Sequence, residues 1–532
     1  MVISEYIFNQ ANLLPATLLS NTEMYLSIDT IKNDIINSFL PETVIILTIL
    51  TLCFVSFILK PKHRKPAVLC VSSTGIILAL FLLLFTAKNA SNAPVIFAGM
   101  FSSDILSIVF RFIMLTCTLL VVGFSATYLE KAYRFETEFY ILLMTALLGT
   151  MLMSGANDLI MTFIALETLG ISSYLLTGYM RNNVSNNEAA LKYLIIGASS
   201  TGILLFGMSY LYGYTGATVF SDIAYRMSAS SMSLTFLMIS IMIIAGIGYK
   251  MAVAPFHVWA PDVYQGAPTP YTAFLSVASK AAGFVLITRI MVVIFATLPV
   301  WQVILIILSI LSMFIGNLTA IVQKDIKRLM AYSSIAHAGY ITIGLIVASE
   351  YSLSSMIYYL MIYLFMQLGA WCSILLFYNY TGSDKIEDYS GLVYKKPLLA
   401  GSFILCLLSL AGIPITAGFF AKFYVFQAAI LESNQFLWLV IIALINSAIS
   451  LYYYMNIIRV MMLKEESELV QKIDIENIEA AEKSKTLSFV LGFTVSGVLL
   501  LGIFASPLID LSKYSIEQLI NHKTNIANTN IL

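Results

Sequence analysis

The sequence predicts an all-α, polytopic membrane protein of about 14 transmembrane helices. Hydrophobic residues make up 59% of the chain and charged residues only 11%, whereas soluble domains carry about 25% charged residues. Apolar stretches of about 20 residues, the length that crosses a bilayer, recur along most of the chain. Lysine and arginine cluster in every second connection between these stretches, as the positive-inside rule requires.

The first elements set the orientation. Residues 1–39 are polar and carry no basic region before the first apolar run, so a cleaved signal peptide is not expected. The first span follows Leu40, Pro41 and Glu42 and runs to about Ile58. The basic stretch 60–66 comes next and indicates a cytoplasmic connection and an outer N-terminus. Further spans are predicted at about residues 66–87, 104–127, 137–154, 157–179, 189–212, 232–255, 269–294, 300–322, 329–348, 355–379, 397–431, 436–460 and 486–507.

The remaining basic residues support this topology, because each even crossing returns the chain to the outer side. The connections expected to be outside, such as 154–157, 298–301 and 431–435, contain no lysine or arginine. We expect both termini outside the cytoplasm, in a cell inner membrane or a thylakoid-type membrane. The connections expected inside contain Lys131, Arg134, Arg181, Lys324, Lys327, Arg328, Lys385, Lys395, Lys396, Lys464, Lys472, Lys483 and Lys485.

One predicted span is too long to be a single helix. Residues 397–431 would run about 52 Å at about 1.5 Å per residue, whereas the hydrocarbon core is about 30 Å thick. Gly412, Pro414 and Gly418 lie within this span and favour a break in mid-membrane. Lys422 follows just beyond the expected break.

A matching interruption is expected five spans earlier, around Lys250. Gly246 and Gly248 precede this lysine and Pro255 follows it. Five is an odd number of crossings, so the pattern predicts an antiporter-like fold of two inverted five-helix repeats with two broken helices. The predicted segments are an N-terminal outer segment (1–39), helices 1–3 (40–135), the first repeat (136–294), the second repeat (300–462), a charged cytoplasmic loop (463–485), and the last helix with the C-terminal tail (486–532).

Composition also excludes several functions. The formal net charge is zero, which argues against a nucleic-acid partner. The five cysteines and four histidines form no zinc, iron–sulfur or haem ligation pattern. Neither a phosphate-binding loop nor a dinucleotide-binding fingerprint occurs in the chain. We therefore expect no cofactor bound by this chain.

Charged residues within the predicted spans are the candidate site. A charged side chain at the centre of a bilayer costs about 2.5–3.5 kcal/mol, so such residues are functional candidates. For Lys192 the alternative is a side chain that reaches the cytoplasmic interface, and for Glu167 it is a structural ion pair. The candidates are Glu167, Lys192, Lys250, Lys280 and Lys422.

A buried lysine between a low-dielectric environment and a movable carboxylate can gain and lose a proton near neutral pH. We hypothesise that Glu167 tunes Lys250, that Lys280 and Lys192 pass a proton onward, and that Lys422 is the terminal site. Neighbouring hydroxyl groups are expected to hold water between these residues. They belong to Ser279, Ser276, Thr272 and Thr416.

His337 lies within the tenth span and is either a proton relay or a structural histidine. Other charged residues lie nearer span ends and are interpreted as interfacial anchors or local ion pairs: Asp104, Arg111, Asp158, Asp262 and Arg289. Aromatic pairs and triplets such as 358–359 and 452–454 are interpreted as helix packing or interface belts.

At these residues the chain resembles subunit N of respiratory complex I, the NADH:quinone oxidoreductase. The resemblance covers about Ser102 to Met461, and two motifs, SGANDL and EAALKYLIIGASS, look like the cyanobacterial and plastid version, subunit 2. The motifs that carry it are LETLGISSYLLTGY, NNEAALKYLIIGASS, YKMAVAPFHVWAPDVYQGAPTPYTAFLSVASKAAGF, QKDIKRLMAYSSIAHAGY and AGIPITAGFFAKFYVF.

The resemblance implies a proton-translocating membrane subunit that is driven by quinone reduction elsewhere in a complex. Other subunits are then expected to carry FMN and iron–sulfur clusters, with quinone as substrate of the whole assembly. It also implies the same site: the family's glutamate falls on Glu167 and its lysines on Lys192, Lys250, Lys280 and Lys422.

Two alternatives stay open from the residues alone. A subunit of a multisubunit cation/proton antiporter would share the fold and the lysines, although PDVYQGAPTP and SKAAGF favour the quinone oxidoreductase subunit. A stand-alone secondary transporter of small solutes is the other, and the row of lysines argues against it.

Overall fold

The computed structural model describes residues 28–88, 95–132, 136–180, 182–228, 234–295, 300–432, 434–473 and 485–529. Most of the predicted outer segment, Arg181 and much of the predicted charged loop lie outside the described residues. The helices are α1 (Ile28–Ser38), α2 (Leu40–Ile58), α3 (Pro61–Ala87), α4 (Ile105–Ala132), α5 (Glu136–Gly155), α6 (Leu159–Thr177), α7 (Val184–Thr215), α8 (Phe220–Ser228), α9 (Leu234–Met251), α10 (Trp259–Gly266), α11 (Thr269–Phe274), α12 (Lys280–Arg289), α13 (Val300–Ile321), α14 (Ile326–Val347), α15 (Glu350–Thr381), α16 (Leu392–Lys395), α17 (Pro397–Ala411), α18 (Ala417–Glu432), α19 (Leu437–Leu463), α20 (Glu468–Gln471), α21 (Lys485–Ile503) and α22 (Ser506–Thr529).

The fold class is confirmed. Within the described residues, 13 helical segments are long and apolar enough to cross a membrane. Helices α17 and α18 are each too short to count alone, but together they form one further span. The total then agrees with the predicted number of about 14. The described strands are β1 (Val95–Ile96) and β2 (Phe101–Ser102), an antiparallel pair in which Val95 faces Ser102.

The core lies around α12, α14 and α15, whose side chains are buried on almost every face. Helices α2 and α3 lie at the edge and leave large apolar side chains exposed, including Phe54, Phe57 and Phe81. Helices that are apolar all round pack either against protein or against lipid. Lys280 and His337 therefore lie in the most enclosed part of the molecule.

The break in the long span occurs where Gly412 and Pro414 predicted it. Gly412 ends α17 in the left-handed region with a φ of 87°, which glycine adopts at no steric cost. Helix α18 begins at Ala417. The Gly418 amide donates a hydrogen bond of 3.0 Å to the Ser409 hydroxyl. The two half-helices are thus held together across the break.

The interruption near Lys250 lies at Pro255, as expected, but does not include the two glycines before the lysine. Helix α9 runs unbroken through Gly246 and Gly248 to Met251, and the non-helical segment is 252–258. The two glycines were therefore wrongly assigned to the break. A Cβ atom at Gly246 would lie 2.5 Å from the Leu204 Cβ, so this glycine permits the close approach of α9 to α7.

A π-helical turn, Leu275–Ser279, connects α11 to α12 and ends directly before Lys280. Such a turn inserts one residue into an α-helix and re-aims the side chains that follow it, often at functional sites. The direction of Lys280 is therefore set by this local irregularity.

Two buried ion pairs attach the first helices to the rest of the chain. Arg111 of α4 lies 3.4 Å from Glu42 of α2, and neither side chain is exposed. Arg289 of α12 binds Asp104 just before α4. The predicted local ion pairs are confirmed at Asp104, Arg111 and Arg289, while Asp158 caps α6 through the amide of Ile160.

We expect Glu42→Ala to destabilise the protein by about 3–5 kcal/mol, because it leaves the buried Arg111 guanidinium without its counter-charge. Immunoblotting of membranes and heat-dependent limited proteolysis would measure the loss. Glu350→Ala, at an exposed first turn of α15, is the control and should change stability by less than about 1 kcal/mol. Equal behaviour of the two variants would contradict the role given to this pair.

Candidate functional site

Lys250 lies in the last turn of α9 within a cage of aromatic rings. Its Nζ atom is 5.8 Å from the ring centre of Tyr174, 5.7 Å from that of Tyr193 and 5.6 Å from that of Tyr249. The side chain is buried, and its ammonium has no hydrogen-bond partner among the described residues. Cation–π attraction and the negative end of α9 partly offset the cost of burying this charge.

Glu167 is the carboxylate whose charge lies within electrostatic range of Lys250. It lies half-buried on α6, one turn before Gly170. A Cβ atom at Gly170 would be 3.7 Å from the Lys250 Nζ. Residues three apart share a helix face, so the carboxylate and the ammonium face the same space without a hydrogen bond between them.

Lys192 lies apart from this buried group. Its side chain is 43% exposed, and its Nζ is 2.7 Å from a carboxylate oxygen of Glu188 and 2.7 Å from one of Asp262. Burial raises the pKa of the Asp262 carboxyl, but hydrogen bonds from Lys192 and Arg328 outweigh it and hold the pKa below its usual range. Lys192 thus belongs to an ion-pair cluster at the side that the sequence predicts to be cytoplasmic.

Lys280 is 1% exposed and points at α14. Its Nζ donates to the Ser334 carbonyl at 2.6 Å and to the Ser334 hydroxyl at 3.1 Å. A Cβ atom at Gly283, one turn further along α12, would be 3.5 Å from the Lys250 Cβ. The two lysines therefore lie on adjoining turns of helices in direct contact.

His337 lies one turn beyond Ser334 on α14 and is buried. Its Nδ1 is 2.7 Å from the Tyr359 hydroxyl, and its Nε2 is 3.3 Å from the Tyr454 hydroxyl. A neutral imidazole donates from one nitrogen and accepts at the other. This arrangement connects hydroxyl groups of α15 and α19 through one ring and supports a relay geometry.

Lys422 lies on α18, beyond the break in the long span. Its Nζ donates to the Ala411 carbonyl at 2.9 Å and to the Ser447 hydroxyl at 3.0 Å. It also lies 5.1 Å from the ring centre of Tyr340. Ala411 is the last residue of α17, so its carbonyl has no partner within the helix and carries the negative end of the helix dipole.

Helix α14 joins these sites. Ser334, His337 and Tyr340 follow one another at successive turns and contact, in that order, Lys280, the tyrosine hydroxyls and Lys422. Asn317 donates to the Tyr340 hydroxyl at 2.9 Å. The structure thus brings Lys250, Lys280, His337 and Lys422 together in one buried row, which we call the polar row, with Glu167 beside its first member.

The polar row ends beside a cavity of about 400 Å³. Its wall is mostly apolar, and Lys422, Gln427 and Ser447 provide polar groups. Phe423, Leu431 and Leu444, which line it, are exposed. Lys422 therefore lies next to the surface of the chain even though its own side chain is buried.

The tyrosines of the site were assigned to packing from the sequence, but the hydroxyls of Tyr359 and Tyr454 contact His337. The hydroxyl groups that were predicted to hold water are mostly occupied by hydrogen bonds within the protein. Those of Ser276, Thr272 and Thr416 donate to backbone carbonyls of their own segments. The Ser279 hydroxyl is buried without a hydrogen-bond partner among the described residues. No signal in a single sequence separates a packing tyrosine from one that contacts a buried histidine.

Metal ligation has no structural support in the described part of the chain, where no group of three or more His, Cys, Asp or Glu side chains could hold an ion. The chemistry available here is proton transfer and charge displacement among lysines, a histidine, hydroxyls and one carboxylate.

Comparison with known proteins identifies the family of the chain. The family described as NADH:quinone oxidoreductase/Mrp antiporter, TM, matches residues 156–450. The chloroplastic NAD(P)H-quinone oxidoreductase subunit 2 of Mesostigma viride is 44% identical over 501 residues, covering 92% of this chain and 97% of that protein. The subunit 2 protein of a Picosynechococcus species is 43% identical over 498 residues, covering 91% and 93%.

Solved structures show the same fold. A chain of respiratory complex I from Thermus thermophilus with bound aureothin superposes with a TM-score of 0.73 at 30% identity, covering 89% of this chain and 99% of that chain. A chain of the Mrp complex from a Dietzia species reaches a TM-score of 0.79 at 21% identity, covering 92% and 99%, and supports the fold alone. The chain therefore belongs to the family of NAD(P)H-quinone oxidoreductase subunit 2, within the larger group of complex I and Mrp antiporter membrane subunits.

Proposed function

We propose that this chain translocates protons through the polar row, as a membrane subunit of an H⁺-translocating NAD(P)H-quinone oxidoreductase. One observation carries the proposal: the buried lysines of α12 and α18 are connected through α14, and Lys250 of α9 lies against α12, so the row extends across both predicted repeats. A structural ion-pair network would place a carboxylate beside each lysine. Lys280 and Lys422 instead bind carbonyls and hydroxyls.

Glu167 controls the first step in this proposal. Burial favours the neutral form of a lysine, and a nearby carboxylate favours the charged form. Movement of negative charge toward Glu167 or away from it therefore changes the proton occupancy of Lys250. The ammonium of Lys280 on the adjoining helix responds to that change by charge repulsion. His337 and its tyrosines then connect Lys280 with Lys422, the terminal site.

Redox chemistry belongs to other subunits in this proposal. FMN and iron–sulfur clusters would be carried by peripheral subunits, with quinone as substrate of the complex, and this chain would be a non-redox part of the enzyme. Its apolar surface would contact lipid and neighbouring membrane subunits, in a cell inner membrane or thylakoid-type membrane with both termini outside the cytoplasm. Nucleic acid is not a partner in this proposal.

Lys250→Ala tests the coupling between this chain and the redox reaction. We expect quinone reduction and proton pumping to fall together in membranes that contain normally assembled complex, because the first member of the row can no longer hold a proton. Lys250→Arg keeps the positive charge but exchanges its proton far less readily. It should therefore assemble normally, as the alanine variant does, and still fall short of full pumping.

The activities are measured as quinone reduction rate and as quenching of a proton-sensitive dye in inside-out vesicles. Unchanged pumping in an assembled Lys250→Ala complex would show that this lysine is structural, and the proposed path would then be wrong.

A further inference from the structure

Helix α10 covers the inner end of the polar row. It lies between Lys250 and Lys280 in sequence, and its Trp259 ring stacks on Tyr193 with ring centres 4.5 Å apart. The Trp259 Nε1 also donates to the Tyr249 carbonyl at 3.0 Å. Both tyrosines belong to the aromatic cage, so α10 forms a cover over the cage of Lys250.

The same helix also covers the surroundings of Lys280. Tyr264 is buried, and its hydroxyl interacts with Ser334, which accepts hydrogen bonds from Lys280. Non-helical residues flank α10 on both sides, at 252–258 and 267–268. The helix is therefore a separate short element that packs by its apolar face and is joined to the membrane helices by two irregular connections.

The less buried face of α10, which carries Asp262 and Gln265, makes ion pairs and hydrogen bonds with neighbouring helices. Asp262 accepts from Lys192 of α7 at 2.7 Å on one carboxylate oxygen. Its other oxygen accepts from Arg328 of α14 at 2.7 Å. Gln265 adds a hydrogen bond of 2.9 Å to Asp325 at the start of α14. Asp262 thus binds one cation from each predicted repeat.

Both cations have a second acceptor. Lys192 is also 2.7 Å from Glu188 on its own helix, and Arg328 donates to Gln265 at 3.0 Å. Loss of either contact to Asp262 therefore leaves that cation with another acceptor. The side chains of Asp262 and Arg328 are each 30% exposed, and single ion pairs at such exposure are weak. Asp262 is the residue at which the two ion pairs meet, so a change at this one side chain removes both of them.

We propose that Asp262 is a positioning residue that holds α10 closed over Lys250 and Lys280, and that its release admits protons to the polar row from the predicted cytoplasmic side. This inference rests on the proposed translocation through the row. It gives Lys192 a role in the two ion pairs of Asp262, with Lys192 and Arg328, which we call the latch, rather than in the polar row itself.

Asp262→Asn in the assembled complex tests the latch. We expect amide hydrogen exchange in residues 259–266 to rise about fivefold or more, because a neutral amide no longer holds two cations. Passive proton leak of vesicles containing the complex should also rise, and pumping per quinone reduced should fall. Glu188→Gln is the matched control, because it removes the other partner of Lys192 without touching α10, and it should leave all three quantities unchanged.

Asp262→Glu, which keeps the charge, should restore slow exchange and low leak. If Asp262→Asn does not assemble, Arg328→Gln removes one of the two connections and should raise exchange in the same segment. Exchange at the wild-type rate in both variants overturns the latch, whatever the pumping rate. Faster exchange with wild-type leak and pumping overturns the role of α10 in proton access. Failure of translocation through the row is detected separately, by wild-type pumping in the Lys250 variants.

Discussion

Lys280→Met is expected to reduce proton translocation by tenfold or more, which corresponds to about 1.4 kcal/mol or more in the barrier. In the proposed path Lys280 is the central proton carrier, and its contacts with Ser334 connect α12 to α14. Methionine has a similar volume and adjusts to irregular surroundings, so the core should stay packed. The measurement is dye quenching in inside-out vesicles, with complex assembly checked on native gels.

The matched control is Lys513→Met. Lys513 is exposed on α22 and also lies near an aromatic ring, with its Nζ 5.9 Å from the ring centre of Tyr351. It is far along the chain from the polar row, and its replacement should leave pumping unchanged. Wild-type pumping by an assembled Lys280→Met complex would contradict the central role of this lysine.

Gly418→Ala is expected to destabilise the broken span and to displace Lys422. A Cβ atom at Gly418 would lie 1.9 Å from the Ser409 carbonyl oxygen. The clash is with backbone, so no side-chain rotation relieves it, and overpacking of this kind costs about 1–3 kcal/mol or more. Lys422 lies one turn further along α18 and would move away from the Ala411 carbonyl.

Gly401→Ala provides the control in the same span. No atom lies within 4 Å of a Cβ atom at Gly401, and alanine is favoured over glycine inside a helix by about 1 kcal/mol. This variant should be as stable as the wild type or more stable, whereas Gly418→Ala should lower both the heat stability of the complex and its pumping. Similar stability of the two variants would show that the contact at Gly418 is not tight.

Much of the fold could be predicted because lipid imposes simple rules. The lengths of the apolar stretches predicted the membrane spans. The excess length of 397–431, together with its glycines and proline, predicted the break at Gly412. Lys250, Lys280 and Lys422 were selected because they are charged residues within apolar stretches, and burying a charge in a membrane costs enough free energy that such residues are usually functional. All three lie in the polar row.

Three features could not be predicted from one sequence. The π-helical turn before Lys280 depends on how α11 and α12 pack against their neighbours, and no local pattern marks it. Tyr359 and Tyr454 look like packing residues in the sequence, because a tyrosine can pack through its ring and also contact a buried histidine through its hydroxyl. Lys192 sits one helical turn from Glu188 in a helix that begins at Val184. The sequence left open that Lys192 reaches the cytoplasmic interface, but only the position of Asp262, distant in sequence, shows the ion-pair cluster to which it belongs.

The carbonyl at the end of α17 gives Lys422 a partner that cannot be protonated. A carboxylate beside this lysine would remain as a buried, uncompensated anion whenever the lysine released its proton, and that state costs several kcal/mol. The Ala411 carbonyl is a fixed dipole, so it stabilises the ammonium yet carries no net charge when the ammonium becomes an amine. In the proposed path, a broken helix at this position would let a lysine cycle between its two protonation states inside the membrane without a counter-ion that would itself have to be neutralised.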